Sequence, residues 1–165
     1  MPPPTPITRY APGMDASRSS LPAQAIMAHG PGAAKEIERS LYAQTKAAYG
    51  IEAHETLINA HNLASSLASM ELYAEAKPFL RKIISRARRS LGDEHDTTLD
   101  MRYTYARAML SDDDATESDF REAVTILEDI ERTSRRVFGP DHPIAKRSKE
   151  MLQIAREGLA ELSDG

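Results

Sequence analysis

The chain has 165 residues, with 21 basic and 25 acidic side chains and a formal charge of −4. That is enough for one domain with a tail, without the basic excess that marks nucleic-acid binders. Cysteine is absent, which excludes a disulfide scaffold, a thiolate zinc site, an iron–sulfur cluster and a cysteine nucleophile. No apolar run reaches the roughly 18–20 residues that span a bilayer. Aromatics are 5% and tryptophan is missing, so an all-α fold packed through Ala and Leu is expected rather than a sandwich or barrel.

Seven of the ten prolines fall at Pro2, Pro3, Pro4, Pro6, Pro12, Pro22 and Pro31, beside Gly13, Gly30, Gly32 and the Ser17–Ser20 cluster. Such a stretch buries little apolar area. Residues 1–33 are read as a Pro-rich N-terminal arm, flexible or extended. It has room for one short helix from Leu21 to His29, with Ser20 as N-cap and Gly30-Pro31 as stop. Arg9, Arg18, several Ser and Ala and the single acid Asp15 overlap in composition with organelle transit segments. The expected compartment is therefore the cytoplasm, with an organelle as the alternative if the arm is a targeting segment.

Residues 34–163 read as a helical repeat domain. Tyr49-Gly-Ile-Glu-Ala-His-Glu-Thr-Leu57, Leu91-Gly-Asp-Glu-His-Asp-Thr-Thr-Leu99 and Phe138-Gly-Pro-Asp-His-Pro-Ile-Ala145 are versions of one turn. Gly92 follows Gly50 by 42 positions and Gly139 follows Gly92 by 47, a period that marks a helical repeat array. The five additional residues fall in the acidic stretch Ser111–Asp119, read as a lengthened loop. Each Gly is expected in the left-handed C′ position that ends a helix, and each following His run is expected to start the next helix. Helices are predicted over 34–49, 54–70, 73–91, 96–110, 117–138 and 143–162. Leu57, Ala60, Leu63, Ala64 and Leu67 form the first apolar stripe. Tyr73, Ala76, Leu80, Ile83, Ile84, Ala87 and Leu91 form the second, and Leu99, Ala106 and Met109 with Phe120, Ala123, Leu127, Ile130 and Phe138 repeat both. The last helix carries Ile144, Met151, Leu152, Ala155, Leu159 and Leu162 on one face and charges elsewhere, as a terminal cap requires.

Ala60-His-Asn-Leu-Ala-Ser-Ser-Leu67, Tyr73-Ala-Glu-Ala-Lys-Pro-Phe-Leu80 and Arg89-Ser-Leu-Gly-Asp-Glu-His95 resemble the tetratricopeptide repeat of the kinesin-light-chain type. Gly139-Pro-Asp-His-Pro143 is the best match to the link between units of that family. The resemblance runs from Ala34 onward. It departs from the family at Thr104-Tyr-Ala106, in the long second loop, and in one additional residue before His54. It implies a short superhelical array of antiparallel helix pairs that binds a peptide or docking segment in a concave groove lined by the first helix of each pair. Carried over by position, the groove residues are Ile58, His61, Asn62 and Ser65, then Asp100, Tyr103, Thr104 and Arg107, then Arg147, Glu150 and Ile154.

The chemistry of sites adds nothing that competes. His54, His95 and His142 share one repeat turn, where a His is expected to hydrogen-bond helix-end backbone. His54 and His61 are two helical turns, or roughly 10 Å, apart, too far to share one zinc. Gly-x-Ser-x-Gly, Gly-x-Gly-x-x-Gly and Walker-type loops are absent. No catalysis, metal or cofactor is expected. Arg81, Lys82, Arg88 and Arg89 read as a solvated outer face, and Asp112, Asp113, Asp114, Glu117 and Asp119 as a loop kept solvated by its own repulsion. The functional expectation is a non-catalytic protein-interaction module with a protein or peptide partner. The alternative is a structural subunit of a larger, multi-subunit complex, anchored through the arm.

Overall fold

The structure is a computed structural model that describes residues 28 and 30–164. The expected arm, and the helix expected over Leu21–His29, lie outside the described residues apart from Ala28 and residues 30–33. Six helices follow: α1 (Pro31–Tyr49), α2 (His54–Ser69), α3 (Tyr73–Leu91), α4 (Asp96–Ser111), α5 (Glu117–Phe138) and α6 (Pro143–Asp164). The described residues contain no strand. The helix starting expected at Ala34 begins three positions earlier, because Pro31 can occupy a first helical turn whose amides lack partners anyway.

Each helix packs on its neighbours in sequence. In addition the backbones of α2 and α4, and of α4 and α6, approach closely, whereas on the other side α1 and α3 meet only through side chains, Tyr42 edge-on to Phe79 and Arg39 near Glu75. The stack is therefore closed along the α2–α4–α6 side and splayed along the other, which makes the first side the inner one. Two cores hold it together. Leu57, Leu63, Leu67, Leu80, Ile83 and Ile84 build the first with Met101, Tyr105 and Met109. Leu99, Tyr103 and Ala106 join Leu127, Ile130, Ile144 and Leu152 in the second. Helix α4 thus belongs to both cores and is buried almost all round, Arg102 and Thr104 included. The expected stripes are confirmed at their centres. Phe138 and Leu162, at helix ends, remain 37% and 46% exposed. Between α5 and α6 the Phe120 ring lies so close to Gly158 that a Cβ there would overlap it.

The repeat turns obey one rule with one exception. Gly92 and Gly139 have φ of 95° and 92° with ψ of 163° and 164°. The positive φ was expected, but the extended ψ places them in a region open essentially to glycine alone rather than in the left-handed helical well. No atom stands within 4 Å of a Cβ built at either, so the requirement is set by the backbone and not by space. Three residues on, the His95 and His142 rings accept hydrogen bonds through Nδ1 from the Thr97 and Ile144 amides, at 3.2 and 3.3 Å, capping α4 and α6 as expected. His54 does not cap. The additional residue in Gly50-Ile-Glu-Ala-His54 moves it inside α2, and its ring reaches instead to Thr97 Oγ1 at 3.3 Å and packs edge-on against His95.

Candidate functional site: the inner face

Three helices of the same type supply the inner face, and their sequence registers bring the expected residues together in part. His61 Nε2 lies 2.9 Å from Thr104 Oγ1. Arg147 donates to Asp100 Oδ1 at 2.6 Å, and its guanidinium covers the Tyr103 ring at 4.8 Å. His61 Nδ1 faces Asp100 Oδ2 at 3.8 Å. One chain of contacts therefore runs across α2, α4 and α6. Burial holds the His61 imidazole below its ordinary value. Asp100 pulls it back up, and Arg107 and Arg147 press it down.

This chain of contacts divides the expected groove residues. Tyr103 is only 8% exposed and Thr104 is buried, although both were expected to line an open groove. The reason is their place in the middle helix, where long side chains from both flanks, His61 and Arg147, lie over them. Asn62, Arg107 and Glu150 make no hydrogen bond or ion pair with another described residue, and Ile58 and Ile154 are 40% and 56% exposed. Ser65 is half-buried. Arg107 opens onto a shallow cleft of about 220 Å³ with Ser69, Glu71, Tyr73 and Ser111. Glu71 adopts φ of 61° there, a conformation that non-glycine residues rarely hold without strain.

The outer face is solvated, in line with the sequence reading: Arg81, Lys82, Arg88 and Arg89 are all exposed. Three of them also hold partners in their own chain. Arg81 donates to the Tyr105 hydroxyl of α4 at 2.6 Å, and Arg88 and Arg89 pair with turn acids, Asp93 at 2.7 Å and Glu52 at 2.8 Å. The acidic loop leaves Asp113 and Asp114 exposed but is otherwise engaged. Asp112 takes Lys77 at 2.5 Å, Asp119 closes a reciprocal capping box with Thr116, and Glu117 pairs with Arg121.

Two buried charges escaped the sequence reading. Arg102 is nearly enclosed and donates to Asp129 at 2.7 Å. It lines a second cleft, of about 310 Å³, with the Arg88–Asp93 and Arg136–Glu94 pairs. Glu38 of α1 is buried and accepts a hydrogen bond from Ser66, and burial raises its pKa. An i, i+4 charge pattern gives no signal for either, since both partners lie on other helices.

No group of His, Asp or Glu among the described residues could hold a metal ion, and no helix among them is long and apolar enough to cross a membrane. A family model described as tetratricopeptide repeat matches residues 60–96 and 105–144, each match running from the middle of an inner helix to the turn that opens the next. No curated protein and no solved structure matches the chain. Repeat spacing, inner and outer helix layers and the family match converge: the chain belongs to the tetratricopeptide repeat family, in its kinesin-light-chain type.

Proposed function

We propose that the inner face formed by α2, α4 and α6 binds a peptide or docking segment of another protein. Tetratricopeptide repeats are non-catalytic units that generally mediate protein–protein interaction. One observation carries the reading to this face. Asn62, Arg107 and Glu150 are polar groups without described partners and alternate with the exposed Ile58 and Ile154, whereas Arg81, Arg88 and Arg89 outside are engaged with their own chain. Unpaired donors on Asn62 and Arg107 and the acceptor carboxylate of Glu150, beside exposed apolar groups, suit an extended segment, whose backbone offers both acceptors and donors and whose side chains need apolar contact. Tyr103 contributes indirectly, as the platform under Arg147.

The test is affinity capture of partners on the full chain, followed by binding measurements with Asn62→Ala and Arg107→Glu introduced together, and separately with Lys82→Glu on the outer face. The double variant is expected to weaken binding at least tenfold and the outer variant to leave it unchanged. The reverse pattern would move the site to the outer face.

A further inference from the structure

The Thr104 hydroxyl has one hydrogen and lies 3.0 Å from the Asp100 carbonyl oxygen and 2.9 Å from His61 Nε2. A carbonyl only accepts, so the arrangement that satisfies both contacts at once has Thr104 donating to Asp100 O and accepting from His61 Nε2–H. In that tautomer the Nδ1 lone pair points toward the Asp100 carboxylate across 3.8 Å. Two acceptors facing each other do not bond, and Asp100 is held instead by Arg147. Around this ring the charged groups are Asp100 and Arg107 of α4 and Arg147 of α6.

We propose that His61 is a proton-operated charge switch at the centre of the inner face: a proton taken from solvent at Nδ1 lets the ring donate to Asp100 Oδ2, beside the Oδ1 that Arg147 holds, and the carboxylate, now shared between two cations, grips the guanidinium that covers Tyr103 less tightly. The ring closes the 3.8 Å gap to Asp100 while the Nε2–H···Thr104 bond is kept in both states. Before protonation the centre of the face holds one carboxylate between two guanidiniums. Afterwards it gains a third positive charge, beside an Arg107 that has no described partner. The structure biases the ring toward the neutral state through its burial, with Arg107 and Arg147 adding to that bias and Asp100 opposing it. Charging therefore requires mildly acidic conditions. Resting on the reading of this face as a docking surface, the inference adds that an acidic segment binds more tightly once the ring is charged.

The experiment uses the free full-length chain and needs no partner. Imidazole nitrogen and carbon resonances are followed by NMR from pH 8 to pH 4.5. The His61 signals are assigned by their loss in His61→Gln and by their contacts with Thr104. The expected result has three parts. The neutral ring shows the Nε2–H pattern, its midpoint lies below the ordinary value of about 6.5, and the Tyr103 ring resonances shift with the same midpoint. Asp100→Asn should lower that midpoint further, and Arg107→Gln should raise it. An Nδ1–H tautomer, a midpoint at or above about 6.5, or Tyr103 signals indifferent to the His61 titration would overturn the proposal. Failure of the docking reading is seen separately, as unchanged partner binding in the Asn62 and Arg107 variants, and leaves this titration untouched.

Discussion

Helices α2 and α4 are repeats of one another, yet they present opposite surfaces. Ile58, His61, Asn62 and Ser65 of α2 correspond in register to Asp100, Tyr103, Thr104 and Arg107 of α4. Ile58 and Asn62 face solvent, while Tyr103 and Thr104 are buried and Asp100 is held by Arg147. The difference comes from rank in the stack. Helix α4 is packed by α3, α5, α2 and α6 and supplies both cores. Helix α2 supplies one. A repeat register thus fixes which way a side chain points, but the number of layered neighbours fixes whether water reaches it.

The sharpest way to break that comparison is to remove core atoms from α4 and surface atoms from α2. Leu99 is fully buried, so Leu99→Ala should cost about 3 kcal/mol by loss of transfer energy and the cavity left behind. Urea unfolding followed by circular dichroism measures this, and a loss below about 1 kcal/mol would mean that Leu99 of α4 does not hold the second core together. A second test bears on the charge enclosed in α4. Asp129→Ala strands the guanidinium of Arg102, which is 8% exposed. Because Asp129 itself is 40% exposed and water can reach the gap, the loss is expected at about 1–2 kcal/mol rather than the full value of a buried pair.

The pH dependence of that pair has a definite sign. The Arg102 hydrogen bond holds the Asp129 carboxyl below the usual carboxylate range. Its contribution is therefore present above about pH 4 and is lost as pH falls from the unfolded value through the lower folded one. Acid unfolding of Asp129→Asn should consequently show a shallower fall in stability over that window than the parent chain, and equal slopes would remove the pair from the account.

Smaller effects sharpen the comparison at the turns and on the surface. Gly92→Ala forces an L-residue into glycine-only backbone with no clash, and about 1–2 kcal/mol of destabilisation is expected from strain alone. Thermal unfolding of this variant beside Gly32→Ala, in α1, separates strain from a general glycine effect. The least change is expected at Ile58→Ala, within about 0.5 kcal/mol of the parent. A larger value would show that Ile58 is packed and therefore closed to a ligand.

Much of the architecture was legible in the residues. The turn glycines set the helix ends, and the apolar periods set which faces meet. Both signals are local, so helix boundaries came within a few residues, and the centres of the stripes were found in the cores. The candidate site was legible only as a set of positions. No local pattern shows that Arg147 reaches Asp100 across a separation of 47 residues and covers Tyr103 on the way, or that Lys77 ties down Asp112.

By itself, then, the sequence determined the repeat, its helices and the capping histidines His95 and His142, because backbone conformation and burial period depend on near neighbours. His54 was expected to cap with them, and the additional residue before it carried it into α2 instead. The tertiary structure alone decided that α4 belongs to two cores, that three of the outer arginines meet partners in their own chain, and that Thr104 lies against His61. Each of those depends on which side chain of a distant helix arrives at a given atom, and that is settled by packing distance and desolvation rather than by spacing along the chain.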